Sequence, residues 1–152
     1  MNPYYICGTF ITSDKNFVIK YLRTAFNSTQ QSFFAPYNQN GHWVLVFISH
    51  TEYKGIILDS VNRTHKKMKD DYLITDCITQ AWGPLQWNVV KCNQQPGSWG
   101  CGYYVLNWMH SIVHSRIKKE VINIDELSWD ERCLSTIDLD NIMEKWHLWS
   151  PF

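Results

Sequence analysis

The chain has 152 residues, 45% of them apolar and 18% charged, and its 14 Lys plus Arg balance 14 Asp plus Glu. That length makes one domain with a buried core of its own. The charge balance excludes a dedicated nucleic-acid coat or a polybasic membrane binder, the apolar share excludes disorder, and no apolar run reaches the ~18 residues of a membrane span. What remains is an unusually aromatic domain, with eight Trp, eight Tyr and seven Phe.

In chain order, the opening Met1-Asn2-Pro3-Tyr4-Tyr5 lacks the basic and apolar regions of a secretory signal. Asn16 to Asn27 spaces Phe17, Ile19, Tyr21, Leu22 and Phe26 as a helix, with Ser13-Asp14 as its cap. After the turn Asn38-Gln39-Asn40-Gly41, the run Trp43 to Ile48 reads as a buried strand. Gly55 to Leu58 reads as its hairpin partner across Thr51 to Lys54. His65 to Trp82 reads as a helix stopped by Gly83-Pro84, and Trp87 to Val90 as a third strand. From Gly102 to Ile117, Val105, Leu106, Met109, Ile112, Val113 and Ile117 recur at helical spacing, and Asp138 to Trp149 forms a last amphipathic helix. No repeat or linker divides the chain, so residues 1–152 read as one α+β domain.

Cys101 carries the sharpest chemical signal. Pro96-Gly97-Ser98-Trp99-Gly100 cannot be helix interior, so Cys101 falls at or near a helix N-terminus, where unpaired N–H groups favour a thiolate. Gly100 and Gly102 on either side leave room for a substrate backbone. Cys7, Cys77, Cys92 and Cys133 have no comparable surroundings and read as small core residues. His42 opens the first strong strand and Asp59 closes the next. If the strands pair antiparallel, both lie at one edge, and the carboxylate can orient the imidazole. Singly, His42 also suits a strand end and Asp59-Ser60 a turn. Gln95, just ahead of the cysteine loop, is placed to offer its amide N–H to a developing oxyanion, or is an ordinary loop glutamine.

Gly41-His42-Trp43-Val44-Leu45, then Leu58-Asp59-Ser60, then Gln95 through Tyr104 resemble the ubiquitin-like-protein protease family, which includes the SUMO/sentrin-specific and adenovirus-type cysteine proteases. Ala35-Pro36-Tyr37-Asn38 and Cys101-Gly102-Tyr103-Tyr104-Val105 are most similar to its plant transposon-associated branch. The order His, Asp, Gln, Cys is the family's, with Asp59 standing 17 positions after His42 and Cys101 six positions after Gln95. The resemblance covers roughly residues 35 to 115. It implies a papain-like cysteine protease fold, a mostly antiparallel sheet flanked by helices with the nucleophile at a helix N-terminus. It also implies cleavage of peptide or isopeptide bonds after the Gly-Gly tail of SUMO or a related modifier. Carried over, Cys101 is the nucleophile, His42 the base, Asp59 its orienter and Gln95 the oxyanion donor. Trp43 would cover a channel that admits only glycine, and Trp99 and Gly100 would adjoin the substrate. Forty-one residues precede His42, a short N-terminal region for the family, and Gly100 stands where an acidic residue is usual. The alternative is a catalytically silent, transposon-derived module that binds a modifier or a protein partner.

Other features read more plainly. Cys92, Cys101, His110 and His114 lack zinc spacing, and neither metal nor cofactor is expected. Arg63 to Lys69 is a basic cluster followed by Asp70-Asp71, a solvated helix face. Asn27-Ser28-Thr29 and Asn62-Arg63-Thr64 are chance acceptor triplets. Trp146-His147-Leu148-Trp149 reads as core or docking surface. Five cysteines, an odd number, suit a reducing compartment. An intracellular monomer, nuclear or cytoplasmic, is expected, its partner a ubiquitin-like modifier or conjugate rather than nucleic acid or membrane.

Overall fold

The structure, a computed structural model, describes residues 6–26, 32–49, 51–61, 71–118 and 130–149. Its elements run α1 (Gly8–Ser13), α2 (Lys15–Phe26), β1 (Ser32–Gln39), β2 (His42–Ser49), β3 (Lys54–Leu58), α3 (Leu73–Trp82), β4 (Gln86–Val90), α4 (Cys101–Lys118) and α5 (Thr136–Trp149). The basic cluster and both acceptor triplets lie outside the described residues, as do the side chains of 146–149. Among the described residues no helix is long and apolar enough to cross a membrane.

The four strands form one sheet in the order β1-β2-β3-β4. The first two pairs are antiparallel and β3–β4 is parallel, with α3 in the crossover. The sheet is thus mostly antiparallel and the class α+β, as expected. β1 is the strand that the sequence hides. Pro36 sits inside it, which an edge strand tolerates because no ladder bond is needed from that nitrogen. Asn40 and Gly41 have φ of 55° and 78°, the left-handed pair that a two-residue hairpin requires. That turn sets Gln39 directly opposite His42.

Alternation along β2 divides the interior in two. Val44, Val46 and Ile48 face a cluster built from α1, α2 and α3, including Ile11, Val18, Leu22, Ile74 and Ile78. Leu45 and Phe47, with Ile56 and Leu58, face Tyr104, Val105, Trp108 and Ile112 of α4. Both faces are therefore covered, so β2 reads as a continuous apolar run. Asp14 caps α2, its Oδ1 accepting from Phe17 N at 2.9 Å, but Val18 rather than Phe17 enters the core. Of the helix expected over His65 to Trp82, residues 65–70 lie outside the described residues, and α3 begins at Leu73 after Tyr72, which is extended at φ −117° and ψ 111°.

The α4 stripe is rotated from the expected one. Buried are Cys101, Tyr104, Val105, Trp108 and Ile112, while Leu106, Met109 and Val113 sit at its margin. Counting aliphatic residues alone missed the two aromatics that anchor the helix. The rotation matters because it puts Cys101 on the face turned toward the sheet.

Gly55 lies opposite Trp87 on β4, and a β-carbon there would stand 2.5 Å from two ring carbons of the indole. Gly55→Ala is expected to lower stability by about 1–3 kcal/mol, the cost of overpacking. Urea unfolding measures it, and the double variant Gly55→Ala/Trp87→Leu should regain part of the loss.

Candidate active site

The site is assembled where β2 begins and β3 ends. Leu45 pairs with Leu58 in antiparallel register, so His42, three residues before Leu45, and Asp59, one residue after Leu58, lie toward the same end of the two strands. His42 Nε2 is 2.7 Å from Asp59 Oδ1. The carboxylate is 4% exposed, and each of its oxygens is met by a donor. Oδ1 also accepts from Val61 N at 2.7 Å, and Oδ2 accepts from the Tyr72 hydroxyl at 2.7 Å. A carboxylate surrounded by donors only accepts, so His42 Nε2 donates to it and Nδ1 is the ring nitrogen not engaged by Asp59. Burial, and then the adjacent Asp59 charge, push the Tyr72 phenol far up, so it stays a donor.

The Asp59 carbonyl is held as well. Cys92 Sγ donates to it at 3.3 Å and Gln94 Nε2 at 3.2 Å. The segment carrying these two is fixed by α4, since Tyr104 donates to the Gln94 carbonyl and Trp108 Nε1 to Asn93 Oδ1. Burial raises the Cys92 thiol to about 12. Its surroundings are those of a structural donor.

Cys101 is the first residue of α4. Gly100 at φ 95° turns the chain into the helix, and its carbonyl accepts from Tyr103 N at 2.8 Å. The left-handed φ explains the glycine better than substrate clearance does, since a β-carbon at Gly100 would meet nothing within 4 Å. Facing the sheet, Cys101 Sγ lies 3.5 Å from Trp43 N, the nitrogen of the residue after His42. Cys101 is 8% exposed. Pro36, Trp43, Gly100, Gly102, Tyr103 and Leu106 line an open, largely apolar cavity of about 480 Å³ beside it.

Gln95 is joined to the same corner. Its backbone N donates to the Ser60 carbonyl at 2.8 Å, and its Oε1 accepts from Ser60 Oγ at 2.7 Å. One Nε2 hydrogen goes to the Gly97 carbonyl at 2.7 Å, leaving the second available. Trp99 is not part of the cavity lining. It is 71% exposed, its indole 3.8 Å from where a β-carbon on Gly97 would sit.

Two contributors escaped the sequence reading. Tyr72 lies among residues read as helix, and Gln39 was read as part of a turn. Gln39 Oε1 accepts from Tyr37 OH at 2.6 Å and Leu73 N at 3.1 Å, while its Nε2 donates to the Asp71 carbonyl at 2.9 Å. Only the placement of a glutamine before an Asn-Gly turn hinted at it. The cysteines also divide differently than expected: Cys77 and Cys92 are core residues, whereas Cys7 is half-buried and Cys133 exposed. His110 and His114 stack at 5.8 Å on α4, and Cys92 is committed to Asp59.

A family profile described as the Ulp1 protease family, C-terminal catalytic domain, matches residues 23–147. The chain belongs to that family. No curated protein matches it. Among solved structures, the Xanthomonas campestris effector XopD bound to ubiquitin is similar at TM-score 0.66 and 17% identity, covering 95% of this chain and 76% of that one. The SUMO protease Ulp1 with its catalytic cysteine oxidised to a sulfenic acid is similar at TM-score 0.61 and 15% identity, covering 93% and 63%. The C-terminal Ulp1 protease domain in complex with Smt3, the yeast ortholog of SUMO, is similar at TM-score 0.51 and 21% identity, covering 69% and 52%. The likeness at these identities is one of fold, and it agrees with the Ulp1-family cysteine protease architecture. The chain spans 60–63% of the length of the oxidised Ulp1 chains. These structures are of a SUMO protease and a bacterial effector, not of the plant transposon-associated branch.

Burial holds Cys77 at about 11 and Cys92 at about 12, so at pH 8 roughly one thiol in a thousand or fewer is ionised at either position. Iodoacetamide at pH 8 should leave both unmodified in the folded protein and modify both in denaturant. Peptide mass mapping reads the outcome.

Proposed function

We propose that this chain is a thiol protease that hydrolyses the peptide or isopeptide bond after the Gly-Gly tail of SUMO or a related ubiquitin-like modifier. The observation that carries the reading is the 2.7 Å bond from His42 to buried Asp59, with the Cys101 sulfur at the backbone nitrogen next to that histidine. Membership of the Ulp1 family and the neighbours bound to Smt3 and ubiquitin support the choice of substrate.

In this mechanism His42 Nδ1, the nitrogen not engaged by Asp59, takes the Cys101 proton. The thiolate attacks the carbonyl carbon of the terminal glycine. The tetrahedral oxyanion is held by Cys101 N–H and the remaining Gln95 Nε2–H. The imidazolium then gives its proton to the departing amine, leaving a thioester that water hydrolyses with His42 again as base. Asp59 stays ionised throughout, fixing the tautomer and stabilising the imidazolium. Trp43 and Gly100, on the cavity wall beside the sulfur, would border the tail, and exposed Trp99 would meet the modifier's body. The protein acts as a monomer, without cofactor, nucleic acid or membrane. Its five cysteines, all outside disulfides, suit a reducing nuclear or cytoplasmic setting.

A SUMO probe ending in a vinyl sulfone is expected to label the wild type on Cys101 and not to label Cys101→Ala. Absence of labelling with SUMO, ubiquitin and other Gly-Gly-tailed probes would instead favour a silent binding module. Asp59→Asn should reduce turnover of a modifier–fluorophore substrate by about 10²–10⁴, because the amide can favour the wrong histidine tautomer. Undiminished turnover would remove Asp59 from the machinery.

A further inference from the structure

Three places outside the reacting trio stand out among the described residues. A polar hollow between α4 and α5 is lined by Asp130, Arg132, Asp138 and Lys145, but Asp130 pairs with Arg132 and Asp138 caps α5 at Ser135. The stacked His110–His114 pair brings no third ligand with it. The hydrogen bonds behind Asp59 are different, because each leads back to the candidate nucleophile's base.

We infer that Tyr72 is a positioning residue for the proposed hydrolysis: its hydroxyl holds Asp59 by the oxygen His42 does not use, and Gln39 holds Tyr72. The inference rests on the assignment of His42 and Asp59 made above. A carboxylate tethered through one oxygen can rotate about its Cβ–Cγ bond and carry the imidazole with it. Tyr72 OH at 2.7 Å from Oδ2 blocks that rotation, opposite His42 Nε2 and Val61 N on Oδ1.

The phenol in turn has little freedom. Tyr72 is 4% exposed, and the Gln39 side chain grips the backbone on both sides of it, at the Asp71 carbonyl and the Leu73 nitrogen. Gln39 is paired in register with His42. The imidazole and the phenol that clamp Asp59 from its two oxygens are therefore anchored on adjacent strands at one two-residue turn. A closed loop of contacts results, running His42, Asp59, Tyr72, Gln39 and back to His42 through the strand pairing.

The test compares Tyr72→Phe with Ile74→Val, a conservative core change two residues away. Tyr72→Phe should lower kcat on a SUMO–fluorophore substrate by roughly 10- to 100-fold, what loss of a hydrogen bond to a charged group corresponds to. KM should stay within about twofold, since Tyr72 lies off the substrate cavity. Ile74→Val should leave kcat unchanged. Gln39→Leu should lower kcat in the wild type and add little in the Tyr72→Phe background, because it acts through the same phenol. Equal kcat in Tyr72→Phe and wild type, or equal losses in Tyr72→Phe and Ile74→Val, would overturn the inference.

A second measurement needs no activity. In Cys101→Ala, the His42 Nε2–H bound to Asp59 should give a downfield, slowly exchanging proton signal in NMR spectra. Adding Tyr72→Phe should shift that signal and speed its exchange; an identical signal would overturn the positioning role. If the wild type labels with no probe, the proposed function fails, while this spectrum still decides what Tyr72 does.

Discussion

A negative charge removed from water must be met by donors or it will not stay charged, and Asp59 is where this protein accepts that constraint. Desolvating an ion costs several kcal/mol even after relaxation, and only a full set of hydrogen bonds offsets it. Asp59 collects its donors from separated parts of the chain: the first residue of β2, the backbone just after β3, and the residue before α3. Its carbonyl collects two more from the segment after β4. The pieces that come together around it are thus committed to one another. An error in any of them would leave a buried acceptor unsatisfied.

The rest of the architecture supplies stiffness to that corner. The Asn40–Gly41 turn has no spare residue, so β1 cannot slide against β2 without moving His42. α4 reaches the same corner from the opposite face of the sheet. Its fully buried Trp108 and its Tyr104 both bond to the segment that supports Asp59, and they pack edge to face at 6.1 Å. The helix that presents the sulfur and the segment that braces the carboxylate are therefore parts of one packed unit.

Much of this was legible in the order of residues. β2, β3, β4, α4 and α5 follow from periodicity and turn chemistry, and the antiparallel pairing that brings His42 near Asp59 follows from a short hairpin between two apolar runs. β1 was hidden because Pro36 argues against a strand unless the strand is known to be an edge, and edges are a property of the whole sheet. On α2 the buried residues are the aliphatic Val18, Ile19 and Leu22, while Phe17 is 40% exposed. Tyr72 carried no signal in the sequence, and Gln39 only its place before the Asn-Gly turn. Both act through side-chain hydrogen bonds that span 13 to 34 residues, which leave no periodic trace.

Because Cys101 begins the buried stripe of α4, its sulfur also fills space against the sheet. A descendant that abandoned chemistry would still gain from a small apolar group there, and a thiol is one. His42 and Tyr72 offer no such packing excuse, since each spends its polar atom on a carboxylate that a silent protein would do better without. Across divergent copies of this domain, survival of the imidazole and the phenol is consequently a stricter witness to the proposed hydrolysis than survival of the cysteine.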